Sequence, residues 1–204
     1  MRNSGRKRQG NRWDDHYARQ ARDEKWLARS VYKLEEIDNK FKIIKKGHQL
    51  LDLGCYPGSW SQYAIKKVGI RGEVVGIDLR KPAPFLSPKL KFFQADVSTL
   101  EINRLRQEIG PVDVVMSDLA PQTTGIRLTD AWRSMELAKK AAEIAFALLR
   151  KKGHFICKVF EGEDLKAFKA ESSVQFKQLR LFRPKATRKG SREVYLIGLN
   201  RLII

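Results

Sequence analysis

The run Gln49-Leu50-Leu51-Asp52-Leu53-Gly54-Cys55-Tyr56-Pro57-Gly58-Ser59-Trp60 decides how this chain folds. Its apolar start is too short for a helix and reads as a buried strand. A turn with two glycines follows, and it opens on a helical segment from about Ser59 to Val68. Working outward, Glu73-Val74-Val75-Gly76-Ile77-Asp78 is a second strand. The stretch Lys81 to Pro88 holds three prolines and reads as loop, and Leu90 to Ala95 is a third strand. A helix is expected over Thr99 to Ile109, a strand over Val112 to Asp118, and a turn-rich loop over Ala120 to Arg127. The long helix that follows, from about Asp130 to Leu149, puts Met135, Ala138, Ala142, Ala145 and Leu149 on one face. Gly153 to Phe160 is the next strand, Asp164 to Ala170 a short helix, and Val174 to Phe182 and Glu193 to Leu199 are two terminal strands. Upstream, Val31, Leu34, Ile37 and Phe41 recur at spacings of three and four, which predicts an amphipathic helix over about Asp23 to Phe41. Ser30 is its candidate cap, and Lys33 flanks the apolar stripe.

Strands and helices thus alternate, and the strands are nearly continuous apolar runs. This pattern predicts an α/β fold with a mostly parallel, seven-stranded sheet covered on both faces, and the helix-free final pair predicts an antiparallel edge hairpin. Ligands of such sheets sit at the carboxyl ends of the strands.

With 204 residues, 42% hydrophobic and 31% charged, the chain has enough apolar side chains for one full core, which excludes wholly disordered and collagen-like classes. Residues 1–22 read as a basic, flexible arm, with Arg2, Arg6, Lys7, Arg8 and Arg12 unaccompanied by any acid through residue 12; residues 23–204 form the folded domain. Cys55 and Cys157 show no C-x-x-C spacing, and the three histidines form no ligand pattern with them. No metal site and no disulfide framework are therefore expected, and a cytoplasmic setting fits. No apolar run is long enough to span a bilayer, and no hydrophobic region follows the basic start, so neither a membrane anchor nor a secretory signal is expected.

Lys and Arg number 41 against 23 Asp and Glu, a net charge of +18. Such an excess is the footprint of a nucleic-acid binder, with anionic lipid the weaker alternative. Lys177, Arg180, Arg183, Lys185, Arg188, Lys189 and Arg192 fall in a span without acids that leads into Glu193 and is suited to RNA backbone. Trp13, Tyr17 and Trp26 could stack on splayed bases or pack against the domain.

The turn at Gly54 to Gly58 matches neither the G-x-G-x-x-G dinucleotide pattern nor a phosphate loop, so NAD and ATP are not the expected ligands. Asp78, twenty residues beyond Gly58, is placed to accept from ribose hydroxyls, and Asp96 to meet an adenine amino group. Together they outline a pocket for a nucleoside without a pyrophosphate, as S-adenosylmethionine presents. Acids at strand ends are also common in doubly wound folds for no such reason.

Asp52-Leu53-Gly54-x-x-Pro57-Gly58-x-Trp60-Ser61-Gln62-Tyr63, Ser117-Asp118-Leu119-Ala120-Pro121 and Arg29-Ser30-Val31-Tyr32-Lys33-Leu34 resemble the FtsJ-like family of RNA ribose 2′-O-methyltransferases over nearly the whole chain. The resemblance implies a Rossmann-like, S-adenosylmethionine-dependent methyltransferase fold. It also implies a catalytic set of Lys33, Asp118, Lys158 and Glu193, with Lys158 the proton acceptor, and cofactor contacts from Gly58, Trp60, Asp78, Asp96 and Asp118. Where the family commonly carries Ala-Ala-Pro-Gly-Gly, this chain has Cys55-Tyr56-Pro57-Gly58-Ser59. The activity implied is methylation of a uridine ribose in large-subunit ribosomal RNA within the assembling subunit; the basic surface and self-sufficient core point to a monomer. Alternatives are transfer RNA ribose methylation, for which family members often add domains that 204 residues do not accommodate, and a non-catalytic ribosome-assembly factor, whose catalytic set should be broken. A lysine takes a proton only when neutral. The apolar strand around Lys158 and the expected proximity of Lys33 favour that form, while Asp118 and Glu193 oppose it.

Overall fold

In the computed structural model, which describes residues 12–83 and 88–203, the central sheet has the strand order β3-β2-β1-β4-β5-β7-β6. These strands are β1 (Gln49–Leu53), β2 (Glu73–Asp78), β3 (Leu90–Gln94), β4 (Val112–Ser117), β5 (Leu149–Phe160), β6 (Phe176–Phe182) and β7 (Glu193–Arg201). β1 to β5 run parallel, while β7 is antiparallel to both β5 and β6. The sheet is therefore the predicted mostly parallel one, and the terminal strands do form an antiparallel hairpin. Its second strand, however, is inserted between β5 and β6, so only β6 forms the edge. The sequence agrees with that position: Val194-Tyr195-Leu196-Ile197 is buried residue by residue, whereas β6 has exposed charges at Lys177 and Arg180.

The helices α1 (Arg12–Asp23), α2 (Val31–Phe41), α3 (Ser59–Val68), α4 (Ile102–Ile109), α5 (Arg127–Leu148) and α6 (Leu165–Ser173) cover the two faces. Strand alternation sends Leu51, Val75, Val115, Phe155 and Leu196 towards α4, α5 and α6. Leu50, Val74, Val114, Met116, Ile156, Tyr195 and Ile197 point the other way, to Leu34 and Ile37 of α2 and Trp60, Tyr63 and Ala64 of α3. On that second face, the residue that follows the apolar positions at a strand's carboxyl end is polar: Asp52 after Leu50, Asp118 after Met116 and Lys158 after Ile156. The sheet's own period therefore gathers these side chains on the α2–α3 side.

Several expected boundaries move. The helix predicted from Asp23 begins at Val31, because the chain turns after α1: Lys25 takes a left-handed conformation (φ 59°), and Trp26 N–H returns to Ala21 C=O. Ser30 precedes α2 but its side chain does not cap it; the hydroxyl instead lies 2.8 Å from that of Ser59 at the start of α3. The long helix starts three residues early, at Arg127, and stops at Leu148. β5 begins four residues before the expected Gly153, although its continuous pairing with β4 resumes only at His154 after a register shift. The predicted helix from Thr99 is a short 3₁₀ turn over Val97–Thr99 followed by α4.

α1 falls within the stretch read as a basic arm. Ala21 on it is buried, and Tyr17 leans on Tyr32 with ring centroids 5.4 Å apart. Trp26 packs against Tyr63, with Lys66 Nζ 3.9 Å from a Trp26 ring centre. Both aromatics thus contact the domain. The basic residues Arg2, Arg6, Lys7 and Arg8 and the side chains of Arg12 and Trp13 lie outside the described residues, as do positions 84–87 of the proline-rich loop. Among the described residues no helix is long and apolar enough to cross a membrane.

α2 is docked chiefly through Leu34 and Ile37, both fully buried. Leu34→Ala should cost about 2–5 kcal/mol by transfer and cavity formation. The expected signature is a lower urea midpoint with an unchanged slope.

Candidate active site

The site stands at the carboxyl ends of β1, β2, β4 and β5, and β7 completes it because it runs backwards. An antiparallel strand presents its first residues where its parallel neighbours present their last, so Glu193 and Tyr195 arrive at the edge where β5 ends. Register pairs Lys158 with Tyr195 and Phe160 with Glu193.

Lys158 Nζ donates to the Asp118 main-chain carbonyl at 2.6 Å and lies 3.0 Å from Asp118 Oδ1. Tyr195 OH donates to the same Oδ1 at 2.7 Å. Lys33 Nζ, projecting from α2, meets Glu193 Oε1 at 2.5 Å. All four charged side chains are largely withdrawn from water, with exposures of 7% for Lys158, 19% for Asp118, 13% for Lys33 and 12% for Glu193. Burial pushes the Asp118 carboxyl up, but the Lys158 and Lys33 charges and the Tyr195 hydrogen bond outweigh it and hold it below the usual carboxylate range. The Tyr195 phenol, fully buried and facing Asp118, is driven well above its ordinary value and stays a donor. The structure thus brings together the four residues Lys33, Asp118, Lys158 and Glu193.

Beside this cluster lies a cavity of about 650 Å³ lined by Gly54, Tyr56, Asp78, Asp96, Asp118 and Gln122 among others. Gly54 has φ 76°, and a Cβ there would fall 2.6 Å from Leu119 Cδ2, so this wall requires glycine. Asp78 accepts Tyr56 N–H at 2.9 Å and Arg80 N–H at 2.9 Å, one on each oxygen, which fixes its carboxylate and leaves each oxygen a lone pair for a ligand. Asp96 takes Ser98 N–H and Oγ on Oδ1, bonds that lower its pKa and keep it ionised.

Gly58 and Trp60 are placed differently from Asp78 and Asp96. Gly58, at φ 112°, starts α3. Trp60 is buried beneath the site: its Nε1 donates to Ser30 C=O at 2.9 Å, and its ring lies 5.8 Å from that of Tyr195. Neither lines the cavity. Trp60 instead ties the start of α2, and hence Lys33, to the glycine turn.

Tyr195 looks in the sequence like one more core aromatic in an apolar strand; its spacing of two from Glu193 is the signal that places both on one face. Asp52 stands in the glycine-turn motif, where the sequence alone assigns it no role. It is fully buried, accepts Ser61 Oγ at 2.6 Å on Oδ2, and has no partner for Oδ1. Burial, reinforced by Asp118 and Asp78, pushes its carboxyl up to about 7. Among the described residues no three His, Cys, Asp or Glu side chains cluster to hold a metal ion.

The family model for FtsJ-like methyltransferases matches residues 26–201. A protein of Desulfosudis oleivorans named ribosomal RNA large subunit methyltransferase E is 45% identical over 94% of this chain and 93% of its own length. A Bdellovibrio bacteriovorus protein of the same name is 47% identical over 92% and 96%. Among solved structures, a Plasmodium falciparum protein assigned as a ribosomal RNA methyltransferase superposes with a TM-score of 0.77 at 28% identity, covering 87% of this chain and 99% of that one.

A prediction follows from Asp52. Its folded-state pKa lies above the ordinary value of 3.8, so the folded protein binds the extra proton and its stability falls as pH rises from about 4 to about 7. Asp52→Asn removes this term. Thermal melts at about pH 5 and about pH 8 should show a smaller fall in Tm for the variant than for the parent, and equal falls would contradict the assignment.

Proposed function

This chain belongs to the FtsJ-like methyltransferase family, and from that premise we propose that it methylates a ribose 2′-hydroxyl, that of a uridine in large-subunit ribosomal RNA, using S-adenosylmethionine and Lys158 as general base. The names of its near-full-length relatives support the ribosomal RNA substrate, and the net charge of +18 supports a polyanionic partner. The observation that carries the chemical reading is the pair of contacts from Lys158 to Asp118.

A neutral lysine amine has two hydrogens and one lone pair. Asp118 offers two acceptors, its carbonyl and Oδ1, one for each hydrogen, and the lone pair then points along the remaining tetrahedral direction towards an incoming hydroxyl. Once Lys158 takes the 2′-hydroxyl proton it becomes an ammonium already in contact with a carboxylate that stays ionised. Tyr195 holds that carboxylate in place from its other side. Lys33 supplies positive charge near the oxygen as it loses its proton, and Glu193 fixes the Lys33 ammonium against wandering.

The residues fit the cofactor: in the cavity, Asp78 for ribose hydroxyls and Asp96 for an adenine amino group, beside Gly54, whose missing Cβ leaves room for Leu119; outside it, Gly58 and Trp60 for holding the turn. When bound, S-adenosylmethionine supplies an electrophilic methyl group on a sulfonium sulfur. The protein's task is then to align two reactants and remove one proton, with positioning the larger share.

Transfer of labelled methyl to undermethylated large ribosomal subunits, with free ribosomal RNA and transfer RNA alongside, tests this reading. Label at a ribose oxygen of subunit RNA is expected. Label on transfer RNA alone, or none despite tight cofactor binding, would replace it with transfer RNA modification or a non-catalytic assembly role. Lys158→Ala should abolish transfer and leave cofactor affinity nearly intact, whereas Asp78→Ala should weaken cofactor binding; equal losses of binding in both would contradict this division of labour.

A further inference from the structure

The segment between β6 and β7, residues 183–192, carries Arg183, Lys185, Arg188, Lys189 and Arg192. It is irregular backbone, yet it is held at three places. At its start, Arg183 Nη2 pairs with Glu161 Oε2 at 2.6 Å. At its end, Arg192 Nη2 donates to Arg127 C=O at 2.7 Å. Its middle is held by α2 and the turn before it. Glu36 accepts Lys185 N–H on Oε2 at 2.8 Å and Ala186 N–H on Oε1 at 2.9 Å, and Arg29 Nη2 donates to Ala186 C=O at 2.9 Å. Ala186 is fully buried under these contacts, while the Lys185 side chain next to it stays exposed.

An acid among cations intended for a polyanion weakens their grip unless its charge is used elsewhere. Glu36 uses both oxygens on adjacent main-chain donors, a charge-assisted pair of bonds of the stronger kind. The same helix, one turn earlier, carries Lys33 in its contact with Glu193, the residue immediately after the loop. α2 therefore sets the loop's middle and the catalytic pair beyond its end as one rigid unit.

We propose that Glu36, assisted by Arg29, is a positioning residue for the RNA substrate: it orders the 183–192 loop in advance as a cationic wall beside Lys33 and Glu193. The inference rests on the RNA reading above. A loop ordered before binding does not draw its ordering entropy from RNA affinity, whereas a released loop does. Chemistry on RNA already bound is governed by Lys33, Asp118, Lys158 and Glu193, and the hydrogen bonds of Glu36 go to the loop's amides and to none of these four.

Steady-state methyl transfer with varied ribosomal RNA substrate tests this. Glu36→Ala should raise KM for RNA about tenfold, corresponding to about 1.4 kcal/mol, while kcat and S-adenosylmethionine affinity stay within about twofold of the parent. Glu36→Gln keeps one acceptor and should fall between the two. Amide exchange at Lys185 and Ala186 should be slow in the parent, fast at both in Glu36→Ala and slow at no more than one in Glu36→Gln, a readout that needs no turnover. An unchanged KM, a loss confined to kcat, or fast exchange at these amides in the parent would overturn the inference. A parent that methylates no RNA would instead remove the substrate reading, and this inference with it.

Discussion

The structure depends on the pairing of β7 with β5. A wholly parallel sheet would carry the first residues of its last strand to the edge away from the ligand. Reversing β7, and inserting it between β5 and β6, puts Glu193 and Tyr195 where β5 ends. One register then fixes three contacts: Tyr195 opposite Lys158, Tyr195 to Asp118, and Glu193 to Lys33. Because side chains alternate along a strand, a slip of one residue would turn Lys158 or Tyr195 to the other face. The buried run Val194 to Ile197 makes that slip costly, since it would also expose core side chains.

Burying four ionisable groups together is tolerable because they sit in two opposite-charge pairs, one of which, Lys158 with Asp118, is also hydrogen-bonded. Two lysines face two carboxylates, and Asp118 receives three contacts from two donors, Lys158 at its carbonyl and Oδ1 and Tyr195 at Oδ1. Removing one partner would leave a charge with neither water nor counter-charge. Asp52, close enough to feel Asp78 and Asp118, shows the other solution: with Ser61 as its hydrogen-bond donor and no cation among the causes of its shift, its proton is retained to about neutrality. Two carboxylates on neighbouring strands thus differ in protonation because only one has a lysine.

Much of this was legible in the sequence, for identifiable reasons. β1, β2 and α3 have the bounds that apolar runs and the Gly58 turn imply, since strand length and helix start are local properties. The acids at strand ends, Asp78 and Asp96, line the cavity as their positions imply. What was missed involves contacts between distant segments. Tyr195 finds Asp118 across 77 positions, and Glu36 finds the Lys185 and Ala186 amides across about 150; neither distance leaves a periodic trace. Ser30 illustrates a local rule overridden by tertiary structure, its hydroxyl turned to Ser59 instead of to its own helix. Trp60, a cofactor residue by the family resemblance, also braces the glycine turn against α2 through its bond to Ser30, a long-range contact that the local sequence does not show.

The position of the reacting hydroxyl decides whether Lys158 is the base. A crystal structure of the protein with an S-adenosylmethionine analogue and an RNA fragment bearing an unmethylated ribose would show it most directly. The 2′ oxygen is predicted within about 2.6–3.2 Å of Lys158 Nζ, with both Lys158 contacts to Asp118 retained. A 2′ oxygen beyond that reach, or a Lys158 released from Asp118 and turned away from the ribose, would contradict the assignment of Lys158 as the base.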